Sequence, residues 1–74
     1  MNLHEFYIGI KSWTDDDLYG CLAAIDAKTD ELYPMYHKEI SKEECDEYLI
    51  SAIGSAIEDY ELMSNMIQRE LENR

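Results

Sequence analysis

Carboxylates are the side chains this chain holds in excess, so they are the first candidates for chemistry. Asp15-Asp16-Asp17 could offer oxygens to a divalent cation. Three consecutive residues rarely converge on one ion, and the alternating ligands and distant glutamate of a calcium loop are not met. The triplet reads as a solvated turn. Glu43 with Glu47, or Glu58 with Asp59, could supply paired acids for proton transfer. That use needs a pocket to perturb their pKa, and on an exposed helix face they stay ordinary acids. His4 and His37 each have a carboxylate nearby in sequence, but no motif places a nucleophile beside them. Cys21 and Cys45 form no C-x-x-C pair and complete no zinc pattern with the histidines. They read as buried, reduced and inert thiols. Three scattered glycines make no phosphate-binding loop. The residues therefore point to no cofactor, no metal and no enzyme, and toward an interaction protein.

Composition supports that direction. The chain has 74 residues, one domain's worth, with 17 acids against 6 bases and a net charge of −11. Residues 1–40 carry −5 (eight acids, three bases) and residues 41–74 carry −6 (nine acids, three bases). Neither part is a basic patch, so direct contact with nucleic acid or an anionic membrane is disfavoured and a basic partner is favoured. The hydrophobic fraction of 46% is ordinary for a folded globule. No apolar run approaches the ~20 residues of a membrane span. The N-terminus lacks the basic start and apolar core of a signal peptide, so the expected location is the cytoplasm. A chain this short has a marginal core, for which oligomerisation is a common remedy.

The elements that would position these groups are read from periodicity. Residues 41–73 read as one long amphipathic helix. Ser41 with Glu44 has the spacing of a capping box, and Glu43, Glu44, Asp46 and Glu47 suit its positive end. Leu49, Ile53, Ala56, Tyr60, Met63, Ile67 and Leu71 form an apolar stripe at ~100° per residue. Glu43, Glu47, Glu58, Glu61 and Glu72 form an acidic ribbon opposite. Residues 1–40 read as a β-meander with strands near 4–12, 18–26 and 31–38. The aromatic and β-branched run Phe6-Tyr7-Ile8-Gly9-Ile10 suggests the first strand. Ile25 to Tyr33 suggests a hairpin, with Pro34 confining the third strand to an edge. The expected fold is α+β, a small three-stranded antiparallel sheet followed by one long C-terminal helix (β-β-β-α). An all-α chain is the alternative, because Leu3, Phe6, Tyr7, Ile10 and Trp13, and then Leu18, Cys21, Leu22 and Ile25, also have helical spacing. A helix of ~48 Å over strands of ~23 Å would leave Tyr60, Leu62, Met63, Met66, Ile67 and Leu71 overhanging the sheet.

The order β-β-β-α resembles antitoxin domains of the HicB type. Here it would be carried by a strand, the acidic turn Thr14–Asp17, two more strands and a helix opening Ser41-Lys42-Glu43-Glu44. The Gly-Cys pair and glycine-rich turns expected before such a helix are missing, so the resemblance is one of fold pattern. In size and charge the chain also resembles small phage and mobile-element inhibitors, such as anti-CRISPR and antirestriction proteins. Carboxylates of such proteins can stand in for phosphates in a cationic groove.

Two functional expectations follow. In the first, Asp15, Asp16, Asp17, Glu43, Glu47, Glu58 and Glu61 dock on a basic, nucleic-acid-processing protein and inhibit it. In the second, the chain is a structural or regulatory homodimer or antitoxin-like neutraliser. Tyr60, Met63, Met66, Ile67 and Leu71 of the C-terminal helix would then meet a second copy or another partner.

Overall fold

In a computed structural model, which describes residues 2–74, the chain is a helical hairpin with a short helix laid across one end. α1 spans Leu3–Gly9 and runs into a 3₁₀ turn, Ile10–Ser12. α2 spans Asp15–Ile40 and α3 spans Glu47–Glu72, each of 26 residues. Among the described residues there is no strand. The α+β expectation is therefore overturned in favour of the all-α alternative. The segments expected as strands, 4–12, 18–26 and 31–38, all lie in helices, and the likeness to the β-β-β-α pattern goes with them.

Helical spacing won because each apolar set continues beyond the short window in which it also alternates. Leu18, Cys21, Ile25, Thr29, Leu32, Tyr36 and Glu39 follow one another at steps of three and four, with Leu22 beside Cys21. All are buried or half-buried. The segment Asp26–Glu31, expected to turn, is continuous helix that exposes every residue but Thr29, and Lys28 lies 3.6 Å from Glu31. Thr29 donates to the Asp26 carbonyl. Pro34 sits opposite the α2 row that faces α3. The carbonyl it leaves without a helical partner therefore faces water. The acidic triplet opens α2. Thr14 accepts from the Asp17 N–H as N-cap, and the three aspartates occupy the first turn, where the helix dipole favours them. Asn2 caps α1 in the same way through the His4 N–H.

α3 starts six residues later than the sequence suggested. The Ser41–Glu44 capping box is not made. Ser41 is the C-cap of α2 and its hydroxyl donates to the His37 carbonyl. The cap of α3 is Asp46, which accepts from the N–H groups of Tyr48 and Leu49 at 3.0 and 3.2 Å. Glu39 joins the two helices across the turn. Its carboxylate accepts from Lys42 Nζ at 2.8 Å and from the Asp46 N–H at 3.0 Å. Gly54 does not break α3. A methyl group there would meet only the Tyr36 ring, at 3.7 Å.

The core lies at the end where three helices meet. Phe6, Ile10, Leu18, Ile25, Met63 and Ile67 form one buried cluster, flanked by Leu3, Trp13, Cys21, Leu22, Tyr60, Met66 and Leu71. Phe6 and Trp13 meet edge to face with centroids 5.7 Å apart. Arg74 fastens this end. It pairs with Asp15 at 2.7 Å and donates to the Trp13 carbonyl at 2.7 Å, while its Nε reaches Glu70. The other end is a bare two-helix arm, in which Ile53 and Ile57 of α3 are buried against α2. The whole measures 48 × 20 × 15 Å.

The overhang is thus the reverse of the one expected. Met63 (7% exposed) and Ile67 (0%) lie inside the chain's own core, because α1 covers the end of α3 that a sheet would have left bare. The open part of the stripe is its beginning, at Leu49, which is 42% exposed.

Two outcomes test this packing. Ile67→Ala should cost about 3 kcal/mol, a large share of the ~4–11 kcal/mol expected for a chain of this length. An unchanged urea midpoint would place Ile67 outside the core. Glu39 carries a pH signature. Its hydrogen bond from Lys42, then that from the Asp46 N–H, holds the carboxyl below its ordinary value of 4.5. A carboxylate depressed in the folded state stabilises above its unfolded pKa, and this is lost as pH falls through the folded one. Glu39→Gln should lower Tm at neutral pH, and the gap to the parent should shrink at about pH 3. A gap independent of pH would show that the carboxylate's charge contributes nothing.

Candidate functional site

The helical hairpin has two broad faces. Helix α1 lies on one. The other is lined by residues of α2 and α3 that project away from α1, and it is here that carboxylates gather. Asp26 and Asp30 come from α2, and Glu47, Glu58 and Glu61 from α3. All five are exposed. The sequence argument found the α3 members, Glu47, Glu58 and Glu61, from their common arc. The α2 members escape it, because Asp26 falls at the end of the expected strand 18–26 and Asp30 in the turn that follows. Their four-residue spacing, one helical turn, was the signal available.

Among the described residues, none of these five acids takes part in an ion pair. Four of the six bases are engaged elsewhere, while Arg69 stands exposed on α3 in the same helical arc as Glu47 and Glu58 and, among the described residues, takes part in no ion pair. Lys28 pairs with Glu31, Lys42 with Glu39, and Arg74 with Asp15 and Glu70. Lys11 stands 4.7 Å over the Tyr7 ring. Lys38 projects to the far side of α2. The ribbon from Glu47 to Glu61 runs ~21 Å along α3, with Asp26 and Asp30 beside its Glu58–Glu61 end.

At that end the two helices part slightly. An open cleft of about 220 Å³ is lined by Ile25, Asp26, Thr29, Tyr33, Tyr60, Glu61, Ser64 and Asn65. The Tyr33 hydroxyl donates to the Glu61 carboxylate across its edge. That bond raises the phenol above its ordinary pKa of 10, because ionising Tyr33 would set two anions against each other. The cleft has an apolar floor, two carboxylates and an amide. It is chemically suited to the end of a lysine or arginine side chain.

The other expected acids are placed differently. Asp15, Asp16 and Asp17 fan out at ~100° intervals around the start of α2, and Asp15 is tied to Arg74. They do not act as one patch and do not join the ribbon. Glu43 lies in the turn before α3, outside the helix that was to carry it. Of the apolar candidates, Met63 and Ile67 are buried, while Tyr60, Met66 and Leu71 are half-buried against the core. That set is committed to this chain's own packing. Both cysteines are free. Cys21 is half-buried, with its thiol pKa raised by desolvation, and Cys45, expected to be buried, is exposed in the turn. Among the described residues, no group of three His, Cys, Asp or Glu side chains could hold a metal ion. No described helix is long and apolar enough to cross a membrane.

Phenolate absorbance checks the cleft geometry. One of the six tyrosines should titrate above the ordinary value, and Tyr33→Phe should remove that late-titrating component. If the component survives, the bond to Glu61 does not form in solution. No protein-family model, curated protein or solved structure matches the chain.

Proposed function

We propose that this chain is a small acidic interaction protein, acting in the cytoplasm, whose ribbon docks on the cationic groove of a nucleic-acid-processing protein and blocks it. The observation that supports this reading is the segregation of charge. Asp26, Asp30, Glu47, Glu58 and Glu61 share one face and, among the described residues, none of them is in an ion pair; the one arginine in that arc, Arg69, follows ~12 Å beyond Glu61. Charge spread only for solubility would need no such sorting.

A row of unpaired carboxylates held on two packed helices costs a partner little ordering. It offers negative charge at fixed positions, as a nucleic-acid backbone does. The cleft at Asp26 and Glu61 gives one basic side chain of the partner a defined seat. Small inhibitors of the anti-CRISPR and antirestriction kind work on this general logic, and the chain matches them in size and charge.

The test compares capture by the parent chain with capture by the variant Asp30→Lys, Glu47→Lys, Glu58→Lys and Glu61→Lys. At up to about 1 kcal/mol per exposed contact, the four changes should weaken binding by up to ~1,000-fold. The helical circular dichroism should be unchanged. High salt should release the captured protein, and duplex or single-stranded nucleic acid should displace it. A captured protein that survives charge reversal and ignores both salt and nucleic acid would reject the reading, as would capture of nothing at low salt.

A further inference from the structure

The face of the hairpin that carries α1 is only partly covered. Helix α1 with its 3₁₀ extension is ~16 Å long, whereas each hairpin helix is ~39 Å. The stripe of α3 that α1 buries at Met63 and Ile67 continues toward the turn as Ala56, Ala52 and Leu49. Leu32 and Met35 of α2 flank it. Ala52 is exposed, Leu49 is 42% exposed and Met35 51% exposed. The same apolar groove is therefore closed at one end by α1 and open at the other.

Surface area says how much cover is missing. A compact protein of 8.7 kDa exposes about 4,700 Å². This chain exposes 5497 Å², a surplus of roughly 800 Å². That surplus is what one partner contributes to a standard stable interface, ~800 Å². The radius of gyration tells the same story, at 14.6 Å against about 11 Å for a compact chain of this length. Small residues at Ala52 and Ala56, one turn apart, let another helix approach closely.

Charge decides who the partner can be. A second copy is strongly acidic, so it can be accommodated only if the two ribbons stay apart. They do, because Asp26, Asp30, Glu47, Glu58 and Glu61 lie on the opposite face. Two hairpins meeting groove to groove would hold their ribbons at least two helix diameters apart, ~20 Å, beyond the ~8 Å screening length at physiological salt. A lysine and acids share the rim of the groove. Lys28 stands on the α2 side with Glu31, and Asp59 stands on the α3 side. A two-fold arrangement can therefore set each lysine against an acid of the other copy.

We infer that the chain forms a two-fold homodimer in which the bare arms, residues 28–40 and 47–57, pack groove to groove as an antiparallel four-helix bundle. Leu32, Met35, Leu49, Ala52 and Ala56 of each copy form its centre. The dimer would present two acidic ribbons on opposite outer surfaces, and it stands whether or not those ribbons bind a partner.

Sedimentation equilibrium from micromolar to millimolar protein, at low and high salt, reads the outcome. The expected mass is twice 8.7 kDa, with association held or strengthened by salt. Met35→Glu with Ala52→Glu should sediment as a monomer with parent-like helical circular dichroism. Ala52→Lys alone serves as a second variant should the pair fail to fold, and should likewise give a monomer. Glu58→Lys with Glu61→Lys should remain dimeric. A parent chain monomeric across the range overturns the inference. So does a dimer that folded groove variants leave intact, or one that only the ribbon variant dissolves.

Discussion

A long amphipathic helix in a small protein must find cover of its own length, and in this chain only one other segment can give it. α2 and α3 have 26 residues each, and the turn between them lets them lie antiparallel along their full extent. Every other feature of the molecule follows from that pairing. A two-helix seam buries one stripe per helix and leaves both flat faces of the hairpin bare. α1 can close only part of one face. The three-helix end therefore holds the core cluster, with Leu18 and Ile67 at 0% exposure, and the arm beyond it keeps apolar surface. Two helices with half a lid suffice to fold the chain, but leave it elongated.

The same pairing sorts the charges. A carboxylate facing the seam must be satisfied, and the one case is Glu39, whose oxygens hold Lys42 and the cap of α3 together. Here a buried charge repays its desolvation by fixing the geometry of the turn, since both oxygens are bonded and the partner lysine reaches water. Acids away from the seam divide between the hairpin's two faces. Of the bases, Lys28 pairs with Glu31 of its own helix, Lys42 reaches back from the turn to Glu39, and Arg69 stands in the arc of the ribbon. The five acids on the face away from α1 are, among the described residues, in no ion pair. The net charge of −11 is thereby distributed unevenly over the hairpin's two faces.

The two ends of the hairpin are secured differently. At the turn, Glu39 and Asp46 satisfy backbone donors that the start of α3 would leave orphaned. At the open end, Arg74 gathers Asp15, Glu70 and the Trp13 carbonyl, and so joins the end of α3 to the junction of α1 and α2. These contacts are polar and largely exposed, so they direct where the helices begin and end more than they stabilise the whole. Stability comes from the buried cluster, in which α1 supplies Phe6 and the 3₁₀ turn Ile10.

The sequence by itself determined the amphipathic stripe of α3, the common arc of Glu47, Glu58 and Glu61, and the absence of a long apolar span, because each is a local property of residue type and spacing. It also held the helical spacing of Leu18, Cys21, Leu22 and Ile25, but did not decide between that and alternation. Over seven or eight residues the two periods overlap, and the β-branched and aromatic residues near Ile8 and Tyr33 tilted the balance toward strands. Tertiary structure settled it. An equal-length neighbour rewards a helix that carries its apolar row from Leu18 to Tyr36, and a sheet cannot use that row on one side. Only the packed hairpin put Asp26 and Asp30 beside Glu61, moved the start of α3 from Ser41 to Glu47, and buried Met63 and Ile67 while leaving Leu49 bare. Which part of a stripe is core and which is surface depends on where a second element ends. No periodicity within one helix carries that information.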